Sequence, residues 1–170
     1  MVESALVIMM LSLVLFGMIQ VALALHADQV QKCATSAAAR SRVVGFNDAV
    51  VEKAWVFGNI LNSGAMLSPQ TGLSEVAQTG VEVESIPLFL QSAGTVSELS
   101  PQLEYADWKH LPSMPPFTDA DLYTAQMQQD YPLHVASLFP FLAASFGTTN
   151  VTLKTSVTIE NHFPLYLQVQ

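Results

Sequence analysis

The sequence predicts an α+β chain: a long apolar N-terminal helix followed by a small antiparallel-sheet domain with one or two short helices. Three observations carry this. The run Ala5 to Leu25 contains no charged residue, and Ser12 and Gln20 are its only polar side chains. No proline occurs before Pro69, whereas turn-forming Gly, Pro, Ser and Thr punctuate the chain from Ser63 onward. Beyond that change of texture, short stretches alternate apolar and polar residues as half-buried strands do. The division expected is therefore 1–62 for the hydrophobic helical part and 63–170 for an outer acidic α+β domain.

The apolar run comes first. Its 21 residues make a helix of about 31 Å at a rise of about 1.5 Å per residue. That length matches a bilayer hydrocarbon core of about 30 Å. A segment in lipid must satisfy its own backbone hydrogen bonds, and Leu, Met and Ala are good helix formers. The small residues at Ala22-Leu23-Ala24 and Leu25-His26-Ala27 resemble signal cleavage sites, but no Lys or Arg precedes the run, so a basic n-region is missing. Lys32, Arg40 and Arg42 follow the run, which on the positive-inside rule favours a cytoplasmic C-terminal side. The acidity of the rest argues the other way, for a non-cytoplasmic domain.

The helix is expected to continue past the apolar run. Val30, Cys33, Ala34, Ala37, Ala38 and Ser41 recur at spacings of three and four and form one face. Such small residues allow close helix approach, either to a helix of another copy or to the chain's own domain. Cys33, the single cysteine, excludes an internal disulfide and a cysteine zinc site and reads as a packing residue. Gly45-Phe46-Asn47-Asp48 marks a break, with Asn47 or Asp48 capping a second helical stretch, AVVEKAWVFGNIL, that ends near Asn62-Ser63-Gly64. One continuous rod over 2–62 would be about 90 Å long; one rod or two helices both fit the pattern.

In the second part, Gly80–Ile86 alternates as a strand with one wet face, and Asn150–Glu160 is the best strand, with Val151, Leu153, Thr155, Val157 and Ile159 on one side. Leu165–Val169 is expected to pair with it as a hairpin. Thr118 is expected to cap a helix reaching Gln129, with Asp119 and Asp121 in its first turn. Asp119-x-Asp121 lacks the Gly and distal Glu of a calcium loop. Leu133–Phe146 is a second helix candidate despite Pro140. The region 87–117 reads as an ordered irregular loop anchored by Trp108 and Phe117.

Charge distribution bears on partners. Residues 1–59 balance four acids against four bases, and residues 60–170 hold ten acids against Lys109 and Lys154, giving the net charge of −8. An acidic domain repels nucleic acid and anionic lipid surfaces. No chemistry is signalled: His26, His110, His134 and His162 have no ligand spacing, and no nucleophile elbow or phosphate loop occurs. No catalytic residue, metal site or cofactor is expected, and the chain does not read as an enzyme. Asn150-Val151-Thr152 fits a glycosylation sequon.

Val2-Glu3-Ser4-Ala5-Leu6-Val7, the apolar run with Phe16-Gly17, and the helix with Ala38-Ala39-Arg40 together resemble the TadE-like pilin family, over about residues 2–45. Those proteins are minor pilins or pseudopilins of the tight-adherence branch of type IV pilus machinery. The resemblance implies a structural subunit of an extracellular pilus-like filament. Such a subunit is inserted in the inner membrane before assembly and then packs with copies of itself with the help of pilus assembly machinery. The basic-Gly processing site of that family does not occur in this sequence, and Met1 and Glu3 lie two apart where type IV pilins generally separate the first mature residue and the Glu by four. The helix-packing residues expected are Gly17, Val30, Ala34, Ala37, Ala38 and Ser41. Glu3 supplies a charge at the helix head. It is tolerated wet at a bilayer surface, or in a filament against a neighbour's α-amino group, and the helix dipole favours it there by about 0.3–1 kcal/mol. The rival reading is a single-span tethered binding or scaffold protein that never polymerises.

Overall fold

The structure, a computed structural model, describes residues 2–64, 66, 75–99, 102–106, 108, 122–133 and 150–161. The long helix α1 spans Val2–Val43. It ends where Gly45 takes φ 96°, a left-handed conformation that a Cβ would strain. There the Phe46 amide donates to the Ser41 carbonyl at 3.2 Å and the Gly45 amide to the Arg42 carbonyl at 2.9 Å, which is the Schellman stop. Asn47 then caps α2 (Asp48–Gly58), its side-chain oxygen accepting from the Val50 amide at 3.0 Å. Residues 2–62 are thus two helices folded back on each other and not a single rod.

The return path of α2 is fixed at three points along α1. Arg42 pairs with Asp48 at the turn. Midway, a Cβ on Gly58 would lie 2.7 Å from the Ala34 Cβ and 2.8 Å from its Cα, so only glycine allows the two backbones to approach this closely. Lower down, in the 3-10 turn Ile60–Asn62, the Asn62 amide donates to the Ala27 carbonyl at 2.7 Å. On the side facing the core, α2 buries Val51, Trp55 and Val56.

α3 (Glu75–Gln91) and α4 (Val96–Leu99) follow. The strand expected over Gly80–Ile86 lies inside α3. Alternation would have turned Val83 inward, yet it is 68% exposed. The helical spacing instead brings Val81, Ile86 and Phe89 onto the core that Trp55 and Leu103 share. Two adjacent charged residues of α2 hold the α3–α4 joint. Buried Lys53 donates to the Ser92 carbonyl and, at 3.1 Å, to its hydroxyl. Glu52 accepts from the Val96 amide at 3.4 Å. Nearby, Met66 bridges Tyr105, whose ring stands 4.6 Å from that of half-buried Trp108.

The sheet described is a two-stranded antiparallel ribbon, β1 (Leu122–Pro132) against β2 (Asn150–Glu160), in register from Leu122↔Glu160 to Pro132↔Asn150. β2 is the strand expected from its alternation, although Val151 remains 38% exposed at its start. β1 corrects the helix expected up to Gln129. Its burial has period two, with Tyr123, Ala125, Met127, Gln129 and Tyr131 inward. Eleven cross-strand pairs with β2 override the helix-favouring Ala, Gln and Met of that segment. The inner face of the ribbon lies on α1, where Tyr123, Ala125, Ala39 and Val43 cluster with Ile159. The outer face is polar, with the Thr124 and Thr158 hydroxyls 3.0 Å apart and Thr152 donating to Asp130 at 2.7 Å. The expected capping segment Thr118–Asp121, Phe117, the expected helix beyond Leu133 and the expected strand Leu165–Val169 lie outside the described residues.

Candidate functional site

The feature that the fold leaves unexplained is the first half of α1. From Val2 to His26 not one side chain is buried, and the first buried residue is Ala27. Ser12, Phe16, Gln20 and Ala24 form a half-buried stripe. The remaining sides carry fourteen exposed large apolar residues between Leu6 and Leu25. Each would contribute about 1.5–3 kcal/mol if removed from water. A contiguous surface of this size is not stable in water and marks a membrane or protein contact. α1 is long and apolar enough to cross a membrane, with that capacity in its N-terminal half.

The boundary of the apolar section is sharp. His26 is exposed, and Lys32 pairs with Asp28 one helical turn apart at 2.6 Å. Over the same turns α1 enters the body. Gln31 is fully buried and its amide donates to the Met127 carbonyl at 3.3 Å and the Leu153 carbonyl at 3.2 Å, one on each strand. A buried amide bonded to both strands fixes the height of the ribbon on the helix. The spacing of three and four had marked Val30, Cys33, Ala34, Ala37, Ala38 and Ser41; Gln31 gave no signal, because a lone glutamine in a polar stretch reads as a wet residue.

The residues expected to pack divide between the two halves. Gly17 lies in the apolar half with nothing of its own chain within 4 Å of a built Cβ. A mid-helix glycine costs about 0.5–1 kcal/mol relative to alanine, and nothing among the described residues offsets that. Ala34 and Ala38 are buried under α2, so the chain's own domain takes up that part of the small-residue face. Val30 and Ser41 are half-buried and Ala37 is exposed. Cys33 is exposed as well, outside the packed face on which its spacing had put it. The buried set instead runs Ala27, Gln31, Ala34, Thr35, Ala38, Ala39 and Val43, because two elements, α2 and the ribbon, flank the helix. Glu3 is exposed in the first turn, where the dipole favours it.

Elsewhere the electrostatics are those of a packed core. Tyr105 has its pKa raised to about 12 by burial first and by the Glu82 carboxylate second, against a lowering contact with the Ser63 hydroxyl. Burial also raises that of Tyr123, with Arg42 lowering it and Asp48 raising it. Among the described residues no group of three or more His, Cys, Asp or Glu side chains could hold a metal ion. Asn150 of the sequon opens β2, half-buried.

A family model, TadE-like protein, matches residues 1–40. The match covers the whole apolar half of α1 and stops within the packed half. Neither curated proteins nor solved structures give a match to the chain. The family match and the apolar helix together fit a pilus-related, pseudopilin-like role and insertion of the N-terminus in a membrane.

Proposed function

We propose that the chain is a structural subunit of a type IV pilus-like extracellular filament, assembled through the apolar half of α1. One observation carries this: the charge-free helical segment Ala5 to Leu25 buries no side chain and exposes fourteen large apolar residues, while the other half of the same helix is packed under α2 and the ribbon. Among the described residues nothing covers those fourteen side chains, which supports a use outside the chain. Before assembly the segment lies in the inner membrane. On assembly it leaves lipid for the same segments of other copies, and the gain comes from helix packing and from released lipid, since lipid is as apolar as leucine. The acidic remainder coats the rod and faces water. The subunit has no enzymatic step; its partners are copies of itself and the assembly machinery. Glu3, at the head of the helix, is either wet at the bilayer surface or paired with a neighbour's α-amino group.

The rival is a single-span protein that tethers the acidic domain and never polymerises, favoured by a body complete without a partner. Negative-stain microscopy of material sheared from cells that express the chain with its assembly machinery separates the two. Rods labelled by an antibody to the body support the filament. Recovery of the chain only as detergent-extracted particles supports the tether.

A further inference from the structure

The seam between α1 and the ribbon is polar where the rest of the core is apolar. Buried polar atoms are as a rule hydrogen-bonded. Here the Gln31 Oε1, the Gln129 Oε1 and Nε2 and the Thr155 hydroxyl are buried with no hydrogen-bond partner. Their residues are 0%, 4% and 4% exposed.

Strand register brings the three side chains together. The Gln31 amide meets the ribbon at the Met127 and Leu153 carbonyls. Met127 pairs with Thr155, and Gln129 pairs with Leu153. Paired residues, and residues two apart along a strand, share one face. Gln129 and Thr155 are therefore the polar inward neighbours of the point where Gln31 touches the strands. The orientation of the Gln31 amide is fixed, because only its NH2 can face two carbonyls, and its oxygen is left without a donor. One turn along α1, the Thr35 hydroxyl is turned back onto the helix and donates to the Gln31 main-chain carbonyl at 2.8 Å.

We propose that Gln31, Gln129 and Thr155 form a binding site for buried water that bridges α1 to both strands. The chemistry selects the occupant. A hard cation takes oxygen ligands, carboxylates among them, and the Gln129 NH2 would face it with the wrong polarity. An anion needs donors, and two of the unpartnered atoms are amide oxygens that only accept. Water donates and accepts, matches both amide oxygens, the NH2 and the hydroxyl, and commonly makes about three such bonds when buried. The other end of the seam is dry, with Tyr123, Ala125 and Ile159 packed on Ala39 and Val43. The ribbon is thus held to α1 by apolar contact at one end and through water at the other. The site goes beyond the filament reading and does not depend on it.

The test uses the full-length chain in detergent micelles. Water-selective NMR transfer to the glutamine side-chain amides is expected to give a cross-peak with the sign of long-lived water at Gln129. Gln126 and Gln128, exposed on the outer face, serve as controls and should lack it. A Gln129 amide without that cross-peak overturns the proposal. Thr155→Val supplies a second arm, because it keeps the shape and removes the hydroxyl. A hydroxyl bonded to water stabilises the fold, so its loss should lower Tm by about 2–4 °C. An unpaired hydroxyl is a desolvated burden, and its loss would raise Tm. A raised or unchanged Tm contradicts the proposal, and should the variant fail to fold, the spectrum of the unsubstituted chain decides.

Discussion

The two halves of α1 are one helix with two fates. From Ala27 to Val43 its inward side chains are covered by α2 and by the β ribbon, down to an alanine–glycine contact that admits no Cβ. From Val2 to His26 the same helix carries larger apolar side chains, and none of them is buried. Local helix propensity does not separate the halves; composition does. The covered half alternates small and polar residues that suit tight intramolecular packing. The uncovered half has no polar face, so no orientation against a soluble domain would leave its other side comfortable in water. A helix apolar all round needs lipid or other helices on every side, and one small domain cannot supply them.

This contrast predicts that changes in the two halves have separable effects. The largest lies in the core that covers the second half. Trp55 is 1% exposed, and Trp55→Ala is expected to cost about 3–5 kcal/mol in chemical denaturation, with membrane partitioning unchanged. A loss of partitioning along with stability would mean the halves are not independent. Next, Val14→Arg places a charge mid-way along the uncovered half. It is expected to cost about 2.5–3.5 kcal/mol of membrane insertion, read from the carbonate-resistant fraction, and to leave the melting of the body untouched.

A third effect is a pH dependence confined to the body. Tyr105 keeps its proton to about pH 12 when folded and releases it near pH 10 when unfolded. The stability this contributes is whole below pH 10 and is lost as pH rises from 10 toward 12, by about 2–3 kcal/mol. Urea midpoints at pH 9 and pH 11 measure about half of it, about 1.3 kcal/mol, and Tyr105→Phe should flatten the slope; an equally steep slope in that variant would assign the effect to other groups. The smallest effect is at the turn between the covered half and its cover. Asn47→Ala removes the α2 cap and should lower the midpoint by about 1 kcal/mol, again without effect on partitioning.

How much of this the sequence carried depended on whether a segment's partner was near or far in the chain. α1, the stop at Gly45, the Asn47 cap and the alternation of β2 are local signals and were legible. β1 and α3 were exchanged in kind for physical reasons. Ala125, Gln126, Met127, Gln128 and Gln129 favour helix, and their strand state comes from pairing with β2, more than twenty residues away. Val81-Glu82-Val83-Glu84 mimics a strand, and the helix prevails because Phe89 and Ile86 reach the Trp55 core one turn apart. Of the surface proposed for assembly, the apolar run was legible at once, and Glu3 and Gly17 lie on that part of the helix. Which side of α2 turns outward was not legible, because it is decided by Gly58 meeting Ala34, a contact between residues twenty-four positions apart.

The central claim is that the uncovered half alone makes the chain insoluble, while the rest is a self-sufficient fold. Sedimentation velocity, without detergent, of the chain lacking residues 1–25 tests it most directly. A single monomer boundary with a cooperative thermal transition is the result expected. A polymer, or an aggregate without a transition, would show that the body needs the uncovered half and would contradict the account.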